Sequence, residues 1–109
     1  MSEKRRIRRR RWRCLVTIED HPWFTTDVGP GGFGVVASVV PPQGTRVTGL
    51  IKGKRVVVPF SGMVVWALRG NMHLSQRSRA GVRFIKVGPS LESLLDEIGI
   101  ADAELRPPI

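Results

Sequence analysis

Between residues 13 and 87 the apolar positions fall in short runs separated by turn-forming residues. Arg13-Cys14-Leu15-Val16-Thr17-Ile18 is rich in β-branched side chains and reads as a strand. Glu19-Asp20-His21-Pro22 supplies a turn, and Trp23 to Asp27 can return as its hairpin partner. Phe33 to Val40 predicts a third strand, closed by Pro41-Pro42-Gln43-Gly44, and Thr45 to Ile51 a fourth. Lys52-Gly53-Lys54 is a tight turn into Arg55 to Pro59, Pro59 to Ser61 a bend or bulge, and Gly62 to Leu68 a further strand. After a polar loop over Arg69 to Ser78, Ala80 to Val87 predicts the last strand.

The period then changes. Leu91, Leu94, Leu95 and Ile98 stand at i, i+3, i+4 and i+7, one face of a helix that Pro89 can open and Gly99 can end. Six or seven short strands followed by one helix imply an antiparallel barrel or sandwich with the helix over an open end. The glycine-rich stretch TTDVGPGGFGVV, residues 25–36, holds G-x-G-x-x-G at Gly29, Gly31 and Gly34. A dinucleotide-binding fingerprint must open a helix, whereas these glycines run into the strand from Phe33, so that match is coincidental.

Charge adds an N-terminal arm to the picture. Of the 18 Lys and Arg, eight fall in residues 1–13, seven of them arginine, against the single acid Glu3; the remainder is nearly neutral in sum. Such self-repulsion predicts a flexible segment that orders on something negative, and arginine's planar fork suits phosphate or the O6/N7 edge of guanine. At 109 residues the chain is read as one domain. It shows no membrane-length apolar run and no signal-peptide core, and its single cysteine excludes an internal disulfide, so a cytoplasmic protein is expected.

Catalysis finds little footing. His21 and His73 are read as surface residues, no cluster has metal-ligand spacing, Phe60-Ser61-Gly62 lacks a nucleophile elbow's flanking glycine, and Cys14 reads as a buried structural thiol. No enzyme and no cofactor are expected. One juxtaposition stands out instead: a hairpin of residues 13–18 and 23–27 would place Arg13, and the arm with it, beside Asp27 and the glycine turn. Asp27 could accept from a guanine amino group or orient an arginine, and Gly29, Gly31 and Gly32 could let a ligand meet backbone N–H groups. Equally, Asp27 to Gly31 is a turn in which the aspartate serves its own backbone.

These residues resemble the PilZ domain, the bacterial module that binds cyclic di-GMP. That family carries an R-x-x-x-R motif before its first strand and a D/N-x-S-x-x-G motif on the second. Here Thr26 to Phe33 resembles the second motif, Gly62-Met63-Val64-Val65-Trp66 the family's G-x-V-x-W strand, and Ala80-Gly81-Val82-Arg83-Phe84 its G-V-x-F strand, in the right order and followed by the closing helix. The resemblance implies an all-β fold, a six-stranded antiparallel β-barrel with a C-terminal α-helix and a flexible basic N-terminal arm. The arm would be residues 1–11, the barrel and helix 12–99, and a C-terminal tail 100–109.

It also implies the site residues. R-x-x-x-R is met by Arg5/Arg9, Arg6/Arg10 and Arg9/Arg13, and the family's spacing to the aspartate favours the earlier pairs. Asp27 and Gly32 match the second motif, while Gly29 stands where it has serine. The ligand-binding set is thus Arg5, Arg6, Arg9, Arg10, Arg13, Asp27, Gly29 and Gly32. The function implied is a single-domain cyclic di-GMP receptor and adaptor that closes its arm over the dinucleotide and signals by contact with a partner protein. The alternative is a degenerate adaptor that binds protein and no nucleotide. Nucleic acid is a poor fit, since a chain with no tyrosine and only seven aromatics offers few exposed rings for bases. A membrane span is not expected.

Overall fold

The computed structural model describes residues 10–11, 14–19 and 21–105. Alternation of apolar and polar residues produces the strands β1 (Arg10–Arg11), β2 (Leu15–Ile18), β3 (His21–Gly29), β4 (Gly32–Ala37), β5 (Arg46–Lys52), β6 (Val57–Leu68) and β7 (Ser78–Val87). The helix α1 (Leu91–Leu105) follows. All pairings are antiparallel, and β2, β3, β4, β7, β6 and β5 close in that order into a six-stranded barrel. The two-residue β1 extends the edge of β3 beyond the end of β2.

The inward positions form one core: Val16 and Ile18 of β2, Trp23 and Val28 of β3, Phe33 and Val35 of β4, Val58, Phe60 and Val64 of β6, Val82 of β7. Phe33 meets Phe60 edge-on at 5.1 Å between ring centroids, and Phe84 lies 5.8 Å from Phe33, an aromatic cluster that links β4, β6 and β7. Leu91, Leu94 and Ile98 of α1 complete the core at the helix end. There the Glu97 carboxylate accepts the backbone N–H groups of Lys54 (2.7 Å) and Arg55 (3.2 Å), which ties the helix to the β5–β6 turn.

Several strand expectations hold with shifted ends. β6 runs unbroken through Pro59, whose carbonyl accepts from the Gly88 N–H (2.9 Å), and the irregularity expected near it is a register shift between Ser61 and Gly62. The helix passes Gly99 and continues to Leu105, so Gly99 is not its end. Gly99 is tolerated in the helix because a glycine there costs only about 1 kcal/mol relative to alanine.

Cys14 is buried, and its junction with β3 is doubly fastened. Its N–H donates to Thr25 Oγ1 (2.7 Å), while its carbonyl accepts the Thr25 N–H (2.9 Å). Burial pushes the Cys14 thiol above its ordinary value of 9.0, opposed by a hydrogen bond with the Thr25 side chain and reinforced by the Glu97 charge. Stability from the neutral thiol is therefore whole below that ordinary value and lost as pH rises through the raised native one. Urea midpoints compared for the wild type and Cys14→Ala should converge as the solution is made strongly alkaline; parallel curves would contradict this. The helix contacts predict a second result: Leu94→Ala should cost about 2–5 kcal/mol and Glu97→Ala about 1 kcal/mol in equilibrium unfolding, since the first leaves a core cavity and the second frees two N–H groups to solvent.

Candidate functional site

A β-bulge creates the site. Along β3 the inward residues are Trp23 and Thr25, and regular alternation would turn Asp27 inward too. The pairing with β4 instead slips between Thr25 and Asp27, so Thr26 is an extra residue and Val28 becomes the inward one. Asp27 then lies on the outer surface opposite Gly34. Its Oδ1 accepts the Gly34 N–H (2.9 Å) and the Thr26 hydroxyl (3.3 Å). Only glycine permits this approach: a Cβ on Gly34 would lie 2.6 Å from Asp27 Oδ1 and 2.8 Å from Thr26 Oγ1.

The register carries this row across the barrel wall. Asp27 pairs with Gly34, Gly34 with Gly81, and Gly81 with Trp66. A slip in the β6–β7 pairing between Val64 and Trp66 turns Trp66 outward, where it is 41% exposed with its indole lying over Gly81. The Asp27 carboxylate thus packs on Gly34 and the Trp66 indole on Gly81, and these side chains bound the two ends of a shallow trough. Arg79 and Arg83, both exposed, stand two residues to either side of Gly81 and so share its face. The trough combines what a guanine nucleotide engages: an acceptor for ring and amino N–H groups, a stacking surface, and guanidinium groups for phosphate or the O6/N7 edge.

Of the expected site residues, Arg5, Arg6, Arg9 and Arg13 lie outside the described residues. Arg10 pairs with Val28, and the backbone of Arg11, not an expected site residue, stands opposite that of Asp27. Gly29 is buried and pairs with Gly32 across the Pro30-Gly31 turn. Gly32 has a packing reason to be glycine, since a Cβ there would collide with the Val82 carbonyl oxygen. Gly31 is exposed, and its carbonyl accepts the Phe84 N–H (2.9 Å). Gly34, Gly81, Trp66, Arg79 and Arg83 were not among the expected ligand-binding residues; isolated glycines inside two strands were the available sign of close approach.

His21 and His73 are exposed, and no group of three or more His, Cys, Asp or Glu among the described residues could hold a metal ion. No helix among the described residues is long and apolar enough to cross a membrane.

No family profile matches the chain, and no curated protein matches its sequence. Solved structures do. The Bacillus subtilis inhibitor of motility MotI/DgrA superposes with a TM-score of 0.79 at 14% identity over 97% of this chain and 55% of its own. Escherichia coli YcgR, solved in complex with cyclic di-GMP, superposes with a TM-score of 0.66 at 20% identity over 94% of this chain and 47% of its own. The fold is PilZ-like. At these identities the likeness is one of fold, and the chain spans about half the length of each neighbour.

The bulge geometry predicts that Gly34→Ala displaces the Asp27 carboxylate while the barrel persists. Asp27→Ala should lower stability by about 1 kcal/mol, because the lost bond is charge-assisted but partly exposed. In both variants amide exchange at position 34 should speed up, whereas a role for Asp27 confined to its own turn would leave it unchanged.

Proposed function

We propose that this domain is a cyclic di-GMP receptor that acts in the cytoplasm and signals by contact with a partner protein. The observation that carries the reading is the register: Arg11, at the end of the arginine run, stands opposite Asp27, and Asp27 heads the trough that ends at Trp66. One guanine would offer its N1–H and amino group to Asp27 while arginines of the arm take O6/N7 and the phosphates. A base along the trough would stack on Trp66, with Arg79 and Arg83 beside it for anionic oxygens. Arg5, Arg6, Arg9 and Arg10 are the arm residues assigned to this grip, Arg13 the inner member of the remaining pair, and Gly29 and Gly32 shape the turn. The complex of YcgR with cyclic di-GMP supports this assignment by fold alone.

Gly29 favours a second reading, an adaptor that binds protein without nucleotide. A glycine cannot supply the hydroxyl that the family's motif has there, a loss of about 0.5–1.5 kcal/mol for a neutral hydrogen bond and about 1.5–3 kcal/mol for one to a charged group. Two bidentate arginines can offset that, so weakened binding is the expectation of the receptor reading.

Calorimetric titration with cyclic di-GMP, with GTP as control, separates the two. The receptor reading expects a micromolar dissociation constant, loss of binding in Asp27→Ala and in the combined Arg5, Arg6, Arg9 and Arg10→Ala variant, and about tenfold weakening in Trp66→Ala. Gly29→Ser should tighten binding by about threefold to tenfold. No heat at hundreds of micromolar ligand, with or without the serine, would leave the adaptor reading standing.

A further inference from the structure

The near-neutral sum of the barrel and helix hides a separation of charge. From Val28 to Leu91 there are nine Lys and Arg and no Asp or Glu; the carboxylates resume on the helix with Glu92, Asp96 and Glu97. The helix sits at the end of the barrel where β6 begins, the hydroxyl of Ser90 just before it donating to the Val57 carbonyl (3.0 Å). β6 then extends through 12 residues to Leu68, roughly 35 Å at strand rise, several times the screening length of about 8 Å at physiological salt. The helix acids therefore do nothing for cations at the far end, where Glu19 in the β2–β3 turn is the one described acid.

At that far end the segment from Arg69 to Arg77 joins β6 to β7. It is a built loop: the Gly70 N–H donates to Ser78 Oγ (3.0 Å), the Ser78 hydroxyl donates to the Ser38 carbonyl (3.2 Å), and the His73 N–H donates to Asn71 Oδ1 (2.9 Å). The loop and the ends of its strands border an open pocket of about 530 Å³ whose lining includes Arg69, Arg77, Arg79, Gln76 and Leu68. None of these three arginines has an ion-pair partner among the described residues. Leu68 is 62% exposed and Leu74, on the same loop, 66%. The loop therefore offers a partner both guanidinium groups with no internal carboxylate and large apolar side chains.

We infer that this end of the barrel is the docking surface for an acidic segment of a partner protein that also carries large apolar side chains. Carboxylates would take Arg69 and Arg77 in bidentate pairs, and the apolar side chains would cover Leu68 and Leu74. The apolar component distinguishes such a segment from a polyphosphate or a nucleic-acid backbone, which would leave the leucines in water. Arg79 belongs both to this pocket and to the face of Gly81, so nucleotide in the trough and a partner at the loop would compete for it. That coupling rests on the receptor reading; the docking surface does not.

The test uses the full chain and a fluorescent synthetic peptide in which leucines are interspersed among glutamates, followed by anisotropy. Binding at low salt should weaken about tenfold or more in the double variant Arg69→Glu/Arg77→Glu and persist in the combined Arg5, Arg6, Arg9 and Arg10→Ala variant. Replacing the leucines by serine should weaken it as well. Equal binding of the serine peptide, tighter binding of a single-stranded oligonucleotide at the loop, or dependence on the arm instead of the loop would overturn the inference. Self-association of the wild type that the loop variant loses would also overturn it, assigning the face to a second copy. Arg69 and Arg77 lie outside the trough, so cyclic di-GMP heat measured on the loop variant reports the receptor reading separately.

Discussion

Closure of the barrel through β3 and β4 is the constraint on which the rest of the molecule hangs. An antiparallel sheet of this size has two edges unless its first and last strands find each other, and here the glycine hairpin makes them neighbours. The closure needs Val28 facing in beside Phe33, yet the preceding half of β3 already turns Thr25 inward. One extra residue, Thr26, reconciles the two halves. The same slip holds Asp27 on the outside against the Gly34 amide. Site and seam are therefore coupled, since the extra residue that closes the wall also sets Asp27 on its outer face.

Most of the architecture was legible in local patterns because each strand pair except β1–β3, β2–β5 and β4–β7 joins neighbours in sequence order. The helix face at Leu91, Leu94 and Ile98 was equally plain, although Gly99 misled about its end because the helix outlasts one unfavourable residue. The site was half legible. Asp27 and the arginine run lay open to motif reading, but the role of Trp66 did not, since alternation from Val58, Phe60 and Val64 would keep an even-numbered residue inside. A slip of one residue reverses that parity, and no local composition marks it. Gly34 and Gly81 suffered the same way: a glycine in a strand announces a close approach without naming what approaches. Arg79 and Arg83 carry no mark of their own in the sequence, and it is the register that puts them around a glycine.

Net charge misled for a related reason. A sum over residues 14–109 near zero suggested an unremarkable surface beyond the arm. Antiparallel topology sends β6 away from the helix and β7 back toward it, so acids grouped late in the chain gather at one pole and the loop arginines at the other. Where charges sit along the chain is thereby converted into where they sit along the barrel axis.

The trough also has an order of assembly. The Asp27–Gly34 contact spans seven residues of chain and can form with the β3–β4 hairpin itself, on the microsecond scale of such turns. The Gly34–Gly81 step belongs to the distant β4–β7 seam, which must wait for loop closure across the intervening β5 and β6. Both ends of the trough thus belong to hairpins of neighbouring strands, and the step that joins them is the one that must wait for closure. Any molecule that rests on both Asp27 and Trp66 is a clasp across the late seam, and it holds the native state against unfolding in proportion to the logarithm of its concentration over its dissociation constant.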